Sequence, residues 1–472
     1  MSRPSNLLFF FTDDQRFDTI RALGNDQIHT PNLDRLVASG TAFTRAHIPG
    51  GTCGAVCMPS RAMLHTGRGL FHLEREGQDI PSEHTTLGEC FQQAGYKTFG
   101  VGKWHNGKTA YARSFTCGAE IFFGGMEDHW NVPVHRFDPT GRYDTTCPVV
   151  PDPWSSNAVT FRDCDHVVAG KHSTDLFTDA AIQFIREQGA DGPFLTYVSL
   201  MAPHDPRTMP ERFLNLYNPT EITLPENFLP EHSVDTGALR IRDELLAAFP
   251  RDPGDIRRHI AEYYAMISHL DEAFGRIIHA LQEAGVFDNT LIVVAGDNGL
   301  ALGQHGLMGK QNLYDHSVRV PLILAGPGIP KGVKRESLVY LLDLFPTLCD
   351  LTGLDVPASV EGRSFRSCLN DPGARVREDL YLAYADSLRG ITDGKFKLIE
   401  YACGVSQLFN LRSDPLERRN LAEEDACAET LVRLRRRLVQ HAKEGDDERH
   451  STGKVFWEKR QDLIRSIDET VY

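Results

Sequence analysis

Short, wholly apolar runs alternate along this chain with longer stretches in which apolar residues recur every three or four positions. NLLFFFT (6–12), FLTYVSL (194–200), TLIVVAG (290–296) and VPLILAG (320–326) lack polar alternation, the pattern of strands buried on both faces. YKTFGVG (96–102) reads as a further short strand. Between them, TPNLDRLVASG (30–40) predicts a helix with Thr30 as cap, Pro31 in the first turn and Gly40 at its end. LGECFQQAG (87–95), TDLFTDAAIQFIREQ (174–188) and RHIAEYYAMISHLDEAFGRIIHALQEAG (258–285) predict three more helices. Such alternation implies an α/β fold, a large mostly parallel sheet sandwiched by helices.

Two segments, 103–172 and 201–255, show no clear period and are rich in Gly, Pro, His and Asp. Long irregular stretches inside a compact domain are usually functional loops, and these are expected to wall a cleft. From about residue 376 the texture changes. LYLAYA, LRGITD, FKLIEY and SQLFNL are short strand candidates, followed by a charged helix near 427–444. The expected organisation is a catalytic α/β domain over 1–375 and a C-terminal subdomain over 376–472, a small antiparallel sheet with one helix. The polar DDERHSTGKVFWEKR reads as a tail folded back on the body.

The 472 residues allow a large core, and 41% hydrophobic with 24% charged residues is ordinary globular composition. A net charge of −14 argues against a nucleic-acid partner but leaves room for a positive pocket on an acidic surface. The apolar run at Leu7 is too short for a secretory signal, and no run approaches the ~18–20 apolar residues of a membrane span. The expected location is cytoplasmic, or periplasmic or secreted if a signal peptide has been removed. The ten cysteines show no CxxC pair and read mostly as reduced and buried. Taken alone, Cys57 in CMPSRAMLHTGR is a small buried thiol at a strand–helix junction.

Ligands of open parallel sheets bind beyond the carboxyl ends of the strands. Asp13 and Asp14 follow the first strand, and Asp297 and Asn298 follow TLIVVAG. Lys103 and His105 follow YKTFGVG, His204 follows FLTYVSL, and Lys310 ends the glycine-rich GLALGQHGLMGK. Each alone has a bland reading as a turn, a cap or a structural histidine. Together they converge on one rim. The carboxylates and the amide are hard oxygen donors suited to Ca²⁺ or Mg²⁺. Lys103, Lys310 and Arg61 suit a tetrahedral oxyanion, and the histidines can move protons near neutral pH. That combination describes ester hydrolysis at sulfur or phosphorus.

CMPSR followed by TGR resembles the Cys-x-Pro-Ser-Arg signature of the formylglycine-dependent type I sulfatases, of the alkaline-phosphatase-like superfamily. GYKTFGVGKWH (95–105) resembles the second signature of that family, and the DDQ, GDNG…GQHG…GK, YDHSVRVPLIL and DPLERRNLA stretches follow in the family's order. The resemblance implies that a maturation enzyme, reading Pro59 and Arg61, oxidises Cys57 to formylglycine. One hydroxyl of the hydrated aldehyde would attack sulfur, and the other would later expel sulfate. A helix from about Ser60 would aim its positive end at the sulfate. By the same resemblance one Ca²⁺ is held by Asp13, Asp14, Asp297, Asn298 and residue 57. Arg61 would hold the formylglycine hydrate, and Lys103 and Lys310 the sulfate oxygens. His105 would serve as base to the second hydroxyl. His204, with Lys310, would meet the leaving oxygen.

The alcohol is not named by these motifs. Arg207 in HDPRT is placed to meet a second anionic group such as a uronate carboxylate, or else is a surface arginine; the stretch also resembles sulfatases of 2-O-sulfated uronic acids in bacterial polysaccharides. His129 and Trp130 could contact a sugar ring, and His135, His166 and His172 are unplaced loop histidines. The expected activity is removal of O-sulfate from a carbohydrate. A phosphonate monoester or phosphodiester hydrolase is the alternative within the superfamily, and a non-catalytic anion-binding protein the alternative of another class. The oligomeric state is left open.

Overall fold

Residue by residue, the first apolar run shows why the sheet lies at the centre of the molecule. The computed structural model describes residues 6–189 and 191–468. Strand β1 (Asn6–Thr12) is buried along its whole length. Its odd residues Leu7, Phe9 and Phe11 join a core with Tyr197, Leu291 and Val293 on one face. Leu8 and Phe10 join Phe177, Ile260 and Ile267 on the other. Side chains alternate across a strand, so a strand covered on both faces must be apolar throughout.

The remaining strands of the large sheet are β2 (Gly40–Phe43), β3 (Lys97–Lys103), β4 (Cys117–Phe122), β5 (Phe194–Ser199), β6 (Thr290–Gly296), β7 (Leu322–Ala325) and β8 (Val333–Arg335). Their order is β8-β2-β7-β6-β1-β5-β3-β4. β1 pairs in parallel with β5 and β6, in the registers Leu7↔Leu195 and Leu7↔Leu291. β3 is parallel to β5 and β4, whereas β7 runs antiparallel to both neighbours. β2, β4 and β8 carry no strong apolar run, and only their partners reveal them as strands.

Helices α1 (Pro31–Ser39), α2 (Cys57–Thr66), α3 (Leu87–Gln93), α4 (Lys108–Ser114), α5 (Ser173–Gln188), α6 (Pro253–Glu283) and α7 (Leu344–Thr352) cover the sheet. α1, α5 and α6 lie on the Leu8 face, and α2, α3 and α7 on the Phe9 face. α6 starts earlier than its apolar period suggests, because Asp252 caps the Asp255 N–H and Pro253 occupies the first position. Thr30 does not cap α1 through its side chain. Its hydroxyl accepts from the Arg21 N–H at 3.0 Å instead. Gly40 ends α1 at its C-cap position, in extended conformation, and at once opens β2; a Cβ there would lie 2.3 Å from the Leu324 carbonyl oxygen.

The C-terminal sheet joins β9 (Leu380–Tyr384), β10 (Leu388–Thr392), β11 (Phe396–Tyr401) and β12 (Ser406–Asn410) as an antiparallel meander. Gly50–Gly51, just before α2, adds a parallel edge to β9. Helix α8 (Ala428–Glu444) packs on this sheet. Instead of one helix and a tail, the described residues form three helices, since Ser451–Lys459 (α9) and Gln461–Asp468 (α10) follow. Phe456 and Trp457 of α9 are buried, so the polar texture of that segment hides two core residues. No described helix is long and apolar enough to cross a membrane.

Candidate active site

Strands β1, β3, β5 and β6 end side by side, and the residues just past their carboxyl ends meet. Asp13 and Asp14 leave β1, with Asp14 at φ 62°, a left-handed conformation that a non-glycine residue holds only when its surroundings enforce it. Its backbone N–H donates to Asp297 Oδ1 at 3.0 Å, tying β1 to β6. The close approach of β3 to β5 depends on Gly102, at φ 88°, where a Cβ would lie 1.9 Å from the Ser199 carbonyl oxygen. That approach delivers Lys103, and His105 follows at φ 75°.

Helix α2 brings the thiol. It begins at Cys57, earlier than Ser60, because Pro59 falls in the first turn where a missing N–H costs nothing. Gly67 closes it in the left-handed conformation, donating to Met63 O at 2.8 Å. Cys57 Sγ lies 3.5 Å from His105 Nδ1 and 3.8 Å from Lys103 Nζ. Burial raises the thiol above its usual range, with Lys103 and Lys310 opposing. The protonated thiol is therefore a poor nucleophile as it stands.

Beneath the thiol lies a fully buried ionic layer. Arg61 donates through Nε to Asp297 Oδ2 at 2.9 Å, through Nη2 to Asp13 Oδ2 at 3.0 Å, and through Nη1 to Ser199 Oγ at 2.6 Å. Its observed contacts thus hold two carboxylates in place. Lys103 pairs with Asp13 as well. Burial alone would raise Asp13, but Lys103 and Arg61 hold it well below the usual carboxylate range. Burial, with Asp13 beside it, pushes Asp297 up. Lys310 Nζ donates to Asp14 Oδ1 at 2.6 Å, and this pairing outweighs burial to keep the ammonium charged. Asn298 Nδ2 donates to the same oxygen at 2.6 Å.

Two buried oxygens in this layer, Asp13 Oδ1 and Asn298 Oδ1, have no hydrogen-bond partner. Buried polar atoms are seldom left unpaired, and these two oxygens, one carboxylate and one amide, are donors of the kind a hard cation takes. Asp13, Asp14, Asp297 and Asn298 could hold a hard divalent ion there. Ligand atoms of Asp13, Cys57 and Asp297, and likewise of Asp13, Asp14 and His204, cluster within 4.8 Å.

Two histidines flank the layer. Burial and the nearby Lys103 and Arg61 hold His105 well below the usual imidazole range, so it is neutral. His204 Nε2 lies 3.7 Å from Asp14 Oδ2, and its Nδ1 lies 2.8 Å from the Asp205 carbonyl oxygen. A carbonyl only accepts, so Nδ1 carries a proton and Nε2 is the nitrogen turned to the site.

All the rim residues expected from the sequence, with Cys57 and Arg61, are therefore linked by contacts. Arg207 stands outside this web. Its Nη1 meets His259 Nδ1 at 2.8 Å, while Nε and Nη2 are buried without partners. His129 is not a sugar contact: it is 0% exposed and both ring nitrogens are engaged within the protein. Trp130 lies edge-on to His172, 5.1 Å between centroids. His135 and His172 are buried, and His166 pairs with Glu120 at 3.0 Å. Ser199 and Gly125, whose carbonyl accepts from Lys103 Nζ, were not singled out from the sequence. Ser199 ends a buried strand, as the residues before the other rim positions do; Gly125 lies in a loop with no pattern to mark it.

A buried cluster of hard-oxygen donors interleaved with Lys103, Lys310 and Arg61, beside a thiol and two histidines at the strand ends of an α/β sheet, fits an ester hydrolase of the alkaline-phosphatase-like fold. The sulfatase family model matches residues 5–354, and the chain belongs to that family. A model described as N-sulphoglucosamine sulphohydrolase, C-terminal, matches 303–444. The N-acetylglucosamine-6-O-sulfatase of Bacteroides thetaiotaomicron is 26% identical, over 95% of this chain and 88% of its own length. A structure solved with D-glucosamine-2-N,6-O-disulfate superposes with a TM-score of 0.75 at 24% identity, covering 95% of this chain and 99% of that one. The phosphonate monoester hydrolase of Agrobacterium radiobacter gives 0.73 at 23% identity, covering 94% and 96%. The protein is a sulfuric ester hydrolase.

Proposed function

We propose that this enzyme removes O-sulfate from a carbohydrate, with residue 57 matured from cysteine to formylglycine and one Ca²⁺ beneath it. The observation that carries the reading is the orphaned pair Asp13 Oδ1 and Asn298 Oδ1 below a buried, protonated thiol. Bound at Asp13, Asp14, Asp297 and Asn298, the cation would supply electrostatic stabilisation of negative charge. The aldehyde hydrate would supply an oxygen nucleophile where the thiol has none.

The chain's own residues then divide the work. Lys103, whose Nζ lies 3.8 Å from Cys57 Sγ, and Lys310 offer ammonium groups to the sulfate oxygens. His105, neutral and 3.5 Å from the residue-57 side chain, accepts the proton of its second hydroxyl as sulfate departs. His204 donates from Nε2 to the leaving oxygen, with Lys310 sharing the duty. Arg61 keeps Asp13 and Asp297 from separating and, beside residue 57, orients the hydrate. Arg207, with two guanidinium nitrogens buried and unpaired, takes a second anionic group on the alcohol, such as a uronate carboxylate. The boundary near residue 375 separates this machinery from a subdomain that supports it.

The testing experiment compares hydrolysis of sulfated mono- and oligosaccharides with that of a phosphonate monoester and a phosphate diester. Faster sulfate ester turnover, abolished by Cys57→Ala, is expected. Preferential turnover of the phosphorus esters would replace this reading with the phosphonate hydrolase one. Turnover that survives Cys57→Ala would remove the nucleophile. Arg207→Gln should raise KM for a uronate sulfate but not for an uncharged sugar sulfate.

A further inference from the structure

One loop touches three of the site residues at once. Residues 123–131 leave β4 and pass over the rim. The Gly125 carbonyl accepts from Lys103 Nζ, and a Cβ at Gly125 would lie 3.1 Å from His105 Nε2, so the bare backbone backs the imidazole. Four residues on, His129 Nε2 lies 2.9 Å from the His204 carbonyl oxygen, and its Nδ1 lies 2.7 Å from Ser173 Oγ. The Ser173 N–H donates to the His129 carbonyl at 2.7 Å, so the loop is clamped twice to the start of α5. The His129 ring stacks on His172, 5.0 Å between centroids and 4° from parallel.

The tautomer follows from these partners. A carbonyl only accepts, so His129 Nε2 carries the proton and Nδ1 accepts from the Ser173 hydroxyl. Burial holds the ring neutral, with a pKa lowered to about 4. A neutral, fully buried imidazole with both nitrogens spent cannot bind substrate or exchange protons with it. It can fix where the His204 main chain lies. His204 makes two further hydrogen bonds: its N–H donates to the Met201 carbonyl at 3.1 Å, and its Nδ1 donates to the Asp205 carbonyl at 2.8 Å, which sets the ring relative to that main chain.

We propose that His129 is a positioning residue: through the His204 carbonyl it holds His204 Nε2 over Asp14, at the place where the leaving alcohol must receive its proton. This rests on the leaving-group role proposed for His204. Misplacing a reacting group by about 1 Å can cost ~10²-fold in rate, so loss of the anchor should be visible in kcat.

The test is a double-mutant cycle with His129→Phe, which keeps ring and stacking but removes both hydrogen bonds, and His204→Ala, read on a sulfated sugar and on an activated aryl sulfate. On the sugar, His129→Phe should lower kcat by ~10–100-fold with KM little changed. On the aryl sulfate, whose leaving group needs no proton, the loss should be several times smaller. In the His204→Ala background, His129→Phe should cost nothing further. His129→Gln, whose amide can still reach the His204 carbonyl, should recover most of the rate. Equal losses on both substrates, full additivity with His204→Ala, or no recovery by His129→Gln would each overturn the proposal. Should His129→Phe not fold, Ser173→Ala, which frees the other end of the same imidazole, is carried through the same cycle with the same criteria. If His204→Ala alone slowed both substrates equally, the leaving-group role would fall, while coupling between positions 129 and 204 would still decide the positioning role.

Discussion

At the scale of single residues, the site is governed by the cost of burying charge. Arg61, Asp13 and Asp297 are each 0% exposed, and unpaired ions at such depth cost several kcal/mol each. Arg61, Lys103 and Lys310 match the charges of Asp13, Asp14 and Asp297, and a divalent cation would satisfy the oxygens left unpaired, Asp13 Oδ1 and Asn298 Oδ1. Thermal melts in EDTA should therefore show a lower Tm, restored by Ca²⁺. At a hundredfold excess over Kd, one ion contributes about 2.7 kcal/mol. A Tm and a turnover indifferent to EDTA would refute the metal. His105 and His204 should separate by substrate. His204→Ala should slow a sulfated sugar by ~10²–10⁴-fold and an aryl sulfate far less, whereas His105→Ala, acting on a step common to both, should slow them alike.

At the scale of elements, two close approaches decide whether the pieces meet. Gly102 lets β3 lie against β5 at the height where Lys103 must emerge. Gly102→Ala forces a Cβ into the Ser199 carbonyl and should reduce activity together with stability, which activity assays and melts on one preparation would show. In the C-terminal part, Asp447 organises α9. It accepts from Arg389 Nε at 2.6 Å, Tyr381 OH at 2.6 Å and Trp457 Nε1 at 2.8 Å, all buried. Removing one partner of a buried pair leaves the other charge uncompensated, so Asp447→Ala should cost about 3–5 kcal/mol in denaturant unfolding. A loss under ~1 kcal/mol would mean that water replaces the carboxylate. The YDHSVRVPLIL and DPLERRNLA stretches also act between elements. Asp315 of the first and Glu417 of the second both pair with Lys397, on β11, and so lock the small sheet to the loop that follows Lys310.

At the scale of the whole molecule, His72 joins distant parts of the chain. Its Nδ1 meets Glu361 at 2.8 Å and its Nε2 meets Asp446, beyond α8, at 3.2 Å. The hydrogen bond that the imidazole donates to Glu361 raises its pKa against the opposing effects of burial and Arg68. A raised folded pKa means that the native state binds the proton more tightly. The stabilisation is thus complete below the unfolded value of about 6.5 and is lost as pH rises through the folded pKa. Wild-type Tm should fall across that window, and His72→Gln should flatten the fall; an unchanged slope in the variant would assign it elsewhere. Much of this architecture was legible in the chain. A strand covered on both faces must be apolar throughout, so β1, β5 and β6 announced themselves, and the residues after them were bound to share a rim. The hard-oxygen donors, the cations and the histidines were legible for the same reason: their chemistry belongs to residue types. What tertiary structure alone decided is who pays attention to whom in space. The Thr30 hydroxyl takes the Arg21 N–H rather than an N–H of its helix, Arg61 reaches Asp13 and Asp297, and His129 turns inward to His204 instead of outward to a sugar. β2, β4 and β8 became strands only because neighbours offered edges. Periodicity reports how a segment meets its own surroundings, inside or outside. It carries no term for which distant segment supplies the partner, and that is set by the packing of the entire fold.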